Sequence, residues 1–342
     1  MNIIHWNISK VSHPMYALRK YEDELFCHIK ELKQDWNIER IWRKDKKILG
    51  STVFSWLFYK SNDADVVHAT SQTVAPAAYF KLKKPNKFIV TVHDLAPLVY
   101  PSEITDVSMR IQWMLTPKAL RKADRIIAIS EFTKEELMGL IEISEEKISV
   151  IHQGVDHEKY KPLDKIKCKE KFGLNQEDKH ILVVSSNVKH KRMDLAKNIF
   201  DHIRSIKGNI KMIKAGYGEV LKGEGIISVG WVKEEEMPLL FNAADVYLHT
   251  SEYEGFGLPV LEAMACGVPV VANNKASIPE IVGDCGSFAG LDENNIIQTS
   301  EKILSLIDNG IDREAMEQSK KFSWKKTAEE TIEVYEDVYK GE

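Results

Sequence analysis

Cysteine is scarce in this chain of 342 residues, and its four copies lie far apart. Cys27, Cys168, Cys266 and Cys285 are separated by 141, 98 and 19 residues, and no two of them form a Cys-x-x-Cys pair. This spacing excludes a dense disulfide framework. A reducing compartment fits this cysteine usage best, and we therefore expect a cytoplasmic protein.

Long apolar runs and an excess of one charge are also missing. The first residues, MNIIHWNISK, lack the basic start and apolar stretch of a secretory signal, and the apolar patch at 51–59 is too short to span a bilayer. Lys and Arg number 47 against 51 Asp and Glu, a net charge of −4. We therefore expect neither a membrane-spanning protein nor a nucleic-acid partner.

Short apolar runs rich in β-branched residues alternate with longer amphipathic segments. The runs lie at 88–92, 125–129, 147–151, 180–184, 246–249 and 268–271. Such alternation predicts parallel sheets covered by helices, which is the α/β class.

One pattern occurs three times: ADVVHATS at 64–71, ADRIIAIS at 123–130 and ADVYLHTS at 244–251. In each, a predicted strand lies between an Asp and a residue with a hydroxyl. That hydroxyl either binds a ligand at the end of the strand or caps the next helix, and we favour the capping role. The pattern occurs in both halves, and Gly154 and Pro162 mark a break between them. We therefore predict two similar α/β domains with a cleft between them, divided at about residue 160.

The segment HTSEYEGFGLPVLEAMACGVPVV at 249–271 carries the clearest chemical signal. Gly255 and Gly257 permit a tight turn, Pro259 suits the first position of a helix, and Gly267 suits the position after its end. We predict a helix over about 259–266. The amides of Phe256, Gly257 and Leu258 then lie at its positive end, an arrangement that binds phosphate.

Two carboxylates flank this anion site and are eight residues apart: Glu254 in the loop and Glu262 in the first turn of the predicted helix. Because bound phosphate would repel them, they indicate a hydroxyl-rich ligand, with Glu262 on a ribose and Glu254 on a hexose. The alternative is that Glu262 complements the helix dipole and that Glu254 is solvated.

Basic side chains follow another predicted strand, in the sequence ILVVSSNVKHKR at 181–192. Lys189, His190, Lys191 and Arg192 come directly after it. A leaving diphosphate gains negative charge, so a cation placed beside it lowers the barrier, and we choose Lys191 for this role. The alternative is a solvated basic face at the start of a helix.

His93 and Asp94 end the strand in IVTVHDLAPLVYP at 89–101. In the predicted arrangement they face the same cleft. The imidazole of His93 could then hydrogen-bond a sugar hydroxyl and steady positive charge at the anomeric carbon. A structural histidine is the alternative.

Together these segments resemble the retaining glycosyltransferases of GT-B fold, family 4. The resemblance covers most of the chain, including TVHDLAPLVYP, ADRIIAISEFTKEEL, VIHQGVD, VVSSNVKHKR, the long segment from VGWVKEEEM to GVPVV, and FSWKKTAEETIEVYEDVY. It implies two Rossmann-like, doubly wound domains that face each other across a cleft. The first is the acceptor-side domain, residues 1–160 plus a C-terminal helix at about 325–342 that crosses back onto it. The second, residues 161–324, binds the nucleotide-sugar donor.

The resemblance also implies the roles of individual residues. Glu262 would hold the ribose, Glu254 and the amides of 256–258 would meet sugar and phosphate, Lys191 would meet the diphosphate, and His93 would touch the donor sugar. Trp231 and Val232 would lie beside the base. The family needs no metal and no further cofactor, because the nucleotide diphosphate sugar is a co-substrate.

Three positions depart from the family pattern. The loop after the first strand, NISKVSHPMYALRKY at 7–21, contains no glycine, where the family usually has a Gly-rich loop. His190 stands at the usual position of an arginine, which leaves Arg192 or Lys189 as substitutes. Gln153 stands where an asparagine commonly precedes the glycine.

Two further motifs are interpreted as decoys. Asp63-Ala64-Asp65 matches the Asp-x-Asp of metal-dependent transferases, but Asp65 leads directly into a strand, so we predict no metal site. Gly216-Tyr217-Gly218 is similar to a dinucleotide loop, but the next glycine, Gly223, comes too late and no helix pattern follows, which disfavours a dehydrogenase.

The stretch RIWRKDKKILGSTVFSWLFYK at 40–60 is both basic and aromatic. Its charges before residue 48 sum to +4, and Val53, Trp56, Leu57 and Lys60 share a helical face. One hypothesis is that it docks the first domain on the inner face of an anionic membrane near a lipid-linked acceptor. The favoured alternative is an ordinary helix packed on the sheet, preceded by a basic loop.

The expected function is that of a hexosyltransferase of glycan biosynthesis. The donor is a nucleotide diphosphate sugar, of GDP-mannose or UDP-hexose type, and the acceptor is a glycan, a lipid-linked molecule or a small molecule. Retention of the anomeric configuration follows from the resemblance. The alternatives are a sugar-nucleotide epimerase of similar shape and a non-catalytic protein that binds sugar nucleotides.

Overall fold

The computed structural model divides the chain into two compact units. The first unit comprises Met1–Gly154 and Trp324–Glu342, and the second comprises Val155–Ser323. The structure describes residues 1–8, 16–42, 53–60, 63–81, 86–104, 106–186, 188–218, 220–285, 287–289 and 292–341. Residues 9–15 of the glycine-free loop after the first strand and residues 43–52 of the basic, aromatic stretch therefore lie outside the described residues.

The first unit contains a parallel sheet of six strands in the order β2-β1-β3-β4-β5-β6. The strands are β1 (Asn2–Asn7), β2 (Asn37–Trp42), β3 (Val66–Ala69), β4 (Lys87–Val92), β5 (Arg125–Ala128) and β6 (Ile148–Val150). The helices of this part are α1 (Tyr16–Leu32), α2 (Ala78–Lys81), α3 (Ala96–Val99), α4 (Val107–Leu120) and α5 (Glu131–Ile141). Short 3-10 turns lie at Val53–Phe58, Gln72–Ala77, Pro101–Glu103 and Glu145–Lys147.

The second unit contains a second parallel sheet of six strands, in the order β12-β11-β10-β7-β8-β9. The strands are β7 (Lys179–Val184), β8 (Ile210–Ala215), β9 (Ile226–Gly230), β10 (Val246–His249), β11 (Val270–Asn273) and β12 (Ser287–Ala289). The helices are α6 (Lys165–Lys171), α7 (Met193–Ile206), α8 (Met237–Ala243), α9 (Leu258–Ala265), α10 (Ile278–Val282), α11 (Ile296–Leu306) and α12 (Arg313–Ser319). The predicted α/β class of two doubly wound, Rossmann-like domains is therefore confirmed.

Each aspartate of the repeated pattern caps a strand that neighbours its own. The carboxylate of Asp65 accepts the backbone N–H of Asn2 at 2.8 Å. Asp124 accepts that of Phe88 at 2.7 Å, and Asp245 accepts that of His180 at 2.8 Å. The N–H at the start of the neighbouring strand thus gains a partner, which explains the recurrence of Ala-Asp before buried strands. Asp65 has a structural contact, in agreement with its interpretation as a strand entry.

The hydroxyls that end this pattern also make structural contacts. Ser130 accepts the backbone N–H of Thr133 at 3.0 Å as the N-cap of α5, and Ser71 accepts that of Thr73 at 3.2 Å. Ser251 donates to the carbonyl of Tyr253 at 2.9 Å. Capping was the favoured interpretation, and the first two serines confirm it.

The last helix of the chain, α13 (Trp324–Lys340), packs in the first unit against α1. The Tyr335 hydroxyl lies 2.9 Å from Nε2 of His5 and 2.6 Å from Nδ1 of His68. Lys33 and Glu336 form an ion pair at 2.6 Å. Both histidines are fully buried, so these bonds satisfy polar groups that would otherwise be costly and fix where α13 lies.

The division between the units falls a few residues before the predicted position of about 160. The N–H of Val155 donates to the carbonyl of Phe322 at 3.4 Å, and the ring of Tyr160 packs edge-on against Phe241. These contacts place 155–160 in the second unit. The prediction missed them because the partners are more than eighty residues away in sequence.

The described part of the basic, aromatic stretch is more firmly packed than a free amphipathic helix. Arg40 belongs to β2 rather than to a basic loop, and its guanidinium lies 2.7 Å from the carboxylate of Asp23. Phe54 and Tyr59 are buried, and Leu57 packs against the core. These contacts agree with the favoured alternative, a helical turn packed on the sheet. In the described ranges, no helix combines the length and apolar character that a bilayer span requires.

Candidate active site

The predicted anion-binding loop in the second unit lies between β10 and α9. Gly257 has φ +107° and precedes α9, which begins one residue earlier than predicted, at Leu258. A Cβ at Gly257 would lie 2.7 Å from Cδ1 of Ile278. The hydroxyl of Ser277 is 3.0 Å from the carbonyl of Glu254 and 2.7 Å from that of Phe256. The loop is therefore held by the start of α10, and glycine is required at its end.

The backbone of this loop retains donors for a ligand. Within the described residues, the amides of Gly257 and Leu258 donate no hydrogen bond, as expected for the first turn of a helix. The Phe256 ring is buried and packs edge-on against Phe322, with centroids 5.9 Å apart. Glu262 is buried in the second turn of α9, not in the first turn as predicted, because the helix begins at Leu258.

Glu254 lies in a compact cluster with Lys191 and His249. Its Oε2 is 2.7 Å from Nζ of Lys191, and its Oε1 is 3.1 Å from Nε2 of His249. Burial by itself would raise the pKa of Glu254, but the Lys191 ammonium and the His249 imidazole outweigh it and hold that pKa well below its usual range. Glu254 is therefore an ionised, partly buried carboxylate, and the solvated alternative is wrong.

His249 is a member of this cluster that the sequence interpretation missed. It is the last residue of β10 and its side chain is almost completely buried. The pattern ADVYLHTS contains it, but the interpretation considered only the hydroxyl at the end of that pattern. His249 and Lys191 are far apart in sequence, so the sequence alone gave no indication that both contact the carboxylate of Glu254.

Two hydrogen bonds tie the basic turn to the acidic loop. The Thr250 hydroxyl donates to the carbonyl of Lys191 at 2.9 Å, and the N–H of Glu252 donates to that of His190 at the same distance. The turn Lys189–Lys191 is 3-10, and Arg192 follows in the left-handed region with φ +51°. Lys191 is therefore directed toward the loop by the backbone.

The other basic residues of this turn lie differently. The Arg192 guanidinium bonds to the Glu252 carboxylate and lies 3.7 Å from that of Asp194. The His190 ring packs edge-on against Tyr253 with centroids 6.1 Å apart. Lys189 is exposed. Of the four predicted cations, only Lys191 contacts Glu254 among the described residues, and donor binding by His190 and Arg192 stays a prediction.

The carboxyl ends of β7, β8 and β9 lie at the same edge of the sheet. The N–H of Gly216 donates to the carbonyl of Gly230 at 2.8 Å. A Cβ at Gly216, whose φ is +110°, would lie 2.4 Å from the carbonyl oxygen of Ser185. Trp231 follows Gly230, and 55% of its surface is exposed, while Val232 is half-buried. The exposed indole suits stacking on a base, so the predicted place of the base beside Trp231 and Val232 stays open to test.

His93, in the first unit, is held by hydrogen bonds on both ring nitrogens. Its Nε2 lies 2.8 Å from the carbonyl of Thr70, and its Nδ1 lies 3.1 Å from Nε2 of Gln153. The Tyr21 ring packs edge-on at 4.8 Å between centroids. Burial lowers the pKa of His93 to about 4, against the opposing effect of the Thr70 carbonyl. The imidazole is therefore neutral, with its proton on Nε2 and with Nδ1 accepting from Gln153.

The backbone beside His93 is braced by a second glutamine. Gln72 accepts the N–H of His93 at 3.1 Å and donates to the carbonyl of Asp94 at 2.9 Å. Sequence reasoning missed Gln72, and it noted Gln153 only as a departure from the family. In this arrangement neither ring nitrogen of His93 is left for a sugar, so a sugar hydroxyl that bonds Nδ1 must displace the amide of Gln153.

Replacing Gln153 with glutamate tests this arrangement. The carboxylate accepts a proton from Nδ1 while Nε2 keeps its proton for Thr70, so the charged imidazole is favoured. We expect the pKa of His93 to rise by about 1–3 pH units. NMR titration of the ring signals, assigned with His93→Gln, measures it. Gln153→Leu should leave that pKa low, and an equal pKa in wild type and Gln153→Glu would disprove the contact.

No three His, Cys, Asp or Glu side chains in the described parts of the chain form a group that could hold a metal ion. Lys191 and the start of α9 contribute positive charge to the candidate site. Metal independence itself stays a prediction.

Two family models match the chain. The model described as Glycosyl transferases group 1 matches residues 164–322, in the second unit. The model described as Glycosyltransferase Family 4 matches residues 37–159, largely in the first.

Relatives and solved structures are similar over most of the chain. The O-antigen chain mannosyltransferase B of Escherichia coli is 28% identical over 72% of this chain and 69% of that protein. The MMP alpha-(1->4)-mannosyltransferase of Mycolicibacterium hassiacum is 26% identical over 81% of this chain and 71% of that protein. Sucrose-phosphate synthase from Thermosynechococcus elongatus has a TM-score of 0.75 at 15% identity, with complete coverage of both chains. Anabaena Alr3699/HepE in complex with UDP-glucose has a TM-score of 0.74 at 18% identity, with coverage of 98% of this chain and 100% of that chain. The chain is therefore a glycosyltransferase of GT-B fold, whose first part matches the family 4 model and whose second part matches the group 1 model.

Proposed function

We propose that this glycosyltransferase moves a hexose from a nucleotide diphosphate sugar to a glycan or lipid-linked acceptor and retains the anomeric configuration. The observation that carries the proposal is the Lys191–Glu254 pair at the open start of α9. The two relatives named as mannosyltransferases favour mannose as the sugar. The neighbouring structure with UDP-glucose supports a nucleotide diphosphate sugar as the class of donor.

Different residues of the second unit bind different parts of the donor. The diphosphate lies against the Lys191 ammonium and the amides of Phe256, Gly257 and Leu258. The Glu254 carboxylate, ionised in the structure, accepts hydrogen bonds from sugar hydroxyls. Glu262 holds the ribose, and the base stacks on Trp231 beside Val232. Arg192 and His190 complete the basic side of the site.

Lys191 has two tasks in this mechanism. Without donor, it neutralises Glu254 at 2.7 Å. When the bond between the sugar and the diphosphate breaks, the electron pair moves to a phosphate oxygen, and the ammonium stabilises the charge that develops there. Because Lys191 and the helix terminus supply this charge, the transfer needs no metal ion, and EDTA should leave the rate unchanged.

A thermal-shift screen identifies the donor. The purified protein is heated with GDP-mannose, UDP-glucose, UDP-galactose, GDP or UDP, and the correct donor should raise the melting temperature by mass action. A ligand at 100 times its Kd contributes about 2.7 kcal/mol, which is several degrees. The matching labelled donor is then incubated with glycan and lipid-linked acceptors, with and without EDTA.

The products separate the proposal from its alternatives. Labelled product that forms only with acceptor, and that has the configuration of the donor, supports a retaining transferase. An epimerised donor that forms without acceptor identifies the epimerase, and a stabilising ligand without turnover identifies a non-catalytic binding protein. Inverted product would contradict retention, and loss of activity in EDTA would contradict metal independence.

A further inference from the structure

Helix α4 of the first unit has one buried face, and its opposite face carries apolar side chains that are exposed. Gln112, Trp113 and Thr116 are buried on the inner side. On the outer side Val107 is 68% exposed and Met114 is 73% exposed, with Ile111 at 41%. These three side chains recur at intervals of four and three residues, which places them along one line of the helix. They form an apolar stripe, defined as Val107, Ile111 and Met114.

Basic residues border this apolar stripe, and acidic residues are absent from it. Arg110, Lys118 and Arg121 fall on the same side of the helical wheel. No Asp or Glu occurs between Asp106, which caps α4, and Asp124. The Arg121 guanidinium lies 3.9 Å from the Glu142 carboxylate, whereas Arg110 and Lys118 form no ion pair among the described residues. The outer face of α4 therefore combines exposed apolar side chains with net positive charge.

Helix α4 lies beside part of the basic, aromatic stretch 40–60. The helix packs against the 3-10 turns Val53–Phe58 and Gln72–Ala77. The first of these turns belongs to the basic, aromatic stretch 40–60. Within the described residues, that stretch places Phe54 and Tyr59 in the core.

The charge of the face decides which partner fits it. A second copy that packed α4 on α4 would bring the same three basic residues together, and like charges oppose that contact. A convex helix with apolar side chains and bordering cations suits a flat anionic surface, where the apolar groups enter the interface and each cation adds electrostatic attraction.

We propose that α4 docks the first unit on an anionic lipid bilayer through Val107, Ile111 and Met114, with Arg110, Lys118 and Arg121 on the lipid headgroups. The contact is peripheral and reversible. It rests on the exposed face of α4 and not on the proposed transfer reaction, so each can fail without the other.

Co-sedimentation with vesicles tests the docking. The full-length protein should bind vesicles that contain phosphatidylglycerol, should bind pure phosphatidylcholine at least tenfold more weakly, and should dissociate as salt is raised. Val107→Asp with Met114→Asp should reduce binding to the anionic vesicles at least tenfold, and Lys118→Glu should reduce it about fivefold. All replaced side chains are exposed, so melting temperatures should stay within about 2 °C of wild type.

Matched controls lie in the second unit. Ile297→Asp on α11 removes an exposed apolar side chain (59% exposed), and Lys167→Glu on α6 reverses an exposed charge. Both should bind vesicles like wild type, and every variant should keep its transfer rate to a water-soluble acceptor. Equal binding of wild type and the α4 variants, or no binding of wild type to anionic vesicles, would overturn the proposal. A dimer that the α4 variants dissociate in solution would also overturn it, in favour of a contact between copies.

Discussion

Replacing Lys191 with methionine should lower the rate of transfer at saturating donor by about 100- to 1,000-fold. The ammonium is 2.7 Å from Glu254 and is placed where the leaving diphosphate gains charge. Removing it withdraws stabilisation that grows in the transition state, so kcat falls more than the affinity for the ground-state donor. Steady-state kinetics with the donor found in the thermal screen measures the effect.

The loss of Lys191 also leaves the Glu254 carboxylate without its closest partner, which destabilises the fold. The double variant Lys191→Met with Glu254→Gln removes both charges, so it should regain melting temperature but not activity. Lys197 is a half-buried lysine paired with Asp201 on α7; Lys197→Met is the matched control and should retain full activity. A rate for Lys191→Met within threefold of wild type would show that the diphosphate is stabilised elsewhere.

Replacing Gly216 with alanine should lower the free energy of unfolding by about 4 kcal/mol. Two costs combine at this position. The φ of +110° strains any residue with a side chain, and the new Cβ would lie 2.4 Å from the backbone carbonyl of Ser185. That carbonyl cannot move freely, because the N–H of Ser185 is bonded to Ala215 in the sheet. Urea unfolding followed by circular dichroism measures the change.

Two other glycines separate the two costs. Gly230 has φ +69° with no atom within 4 Å of a built Cβ, so Gly230→Ala should cost about 1 kcal/mol from backbone strain alone. Gly208 has neither a positive φ nor a near neighbour, and Gly208→Ala should be close to neutral. If Gly216→Ala and Gly230→Ala were equally destabilising, the approach to Ser185 would carry no energetic cost.

The candidate site shows how far local sequence reasoning reaches. The loop before α9 was predicted within one residue, because Gly257, Pro259 and Gly267 act through their own backbone preferences. The assignment of Glu262 to the first turn was wrong because α9 begins one residue earlier than predicted. His249 and Ser277 were missed, because their contacts with Glu254 depend on strands and loops that meet only in the folded sheet.

The two glutamines beside His93 illustrate the same limit. Gln72 and Gln153 are far from each other in sequence, and neither has a local signature of function. The motif His93-Asp94 at the end of a strand indicated a place in the fold. It carried no information on which atoms the ring nitrogens bond. Those bonds fix the tautomer of the imidazole, and burial keeps it neutral.

The scarcity and wide spacing of cysteine, the balanced charge and the alternating apolar runs determined by themselves that this chain is an α/β protein without a disulfide framework. Periodicity and turn residues sufficed, since both act over a few neighbouring positions. Only the tertiary structure decided that Glu254 shares Lys191 and His249, that Gly216 must be glycine, and that α4 leaves an apolar stripe exposed. Each of these depends on atoms brought together from distant parts of the chain, where burial and electrostatics, rather than local preference, set the energy.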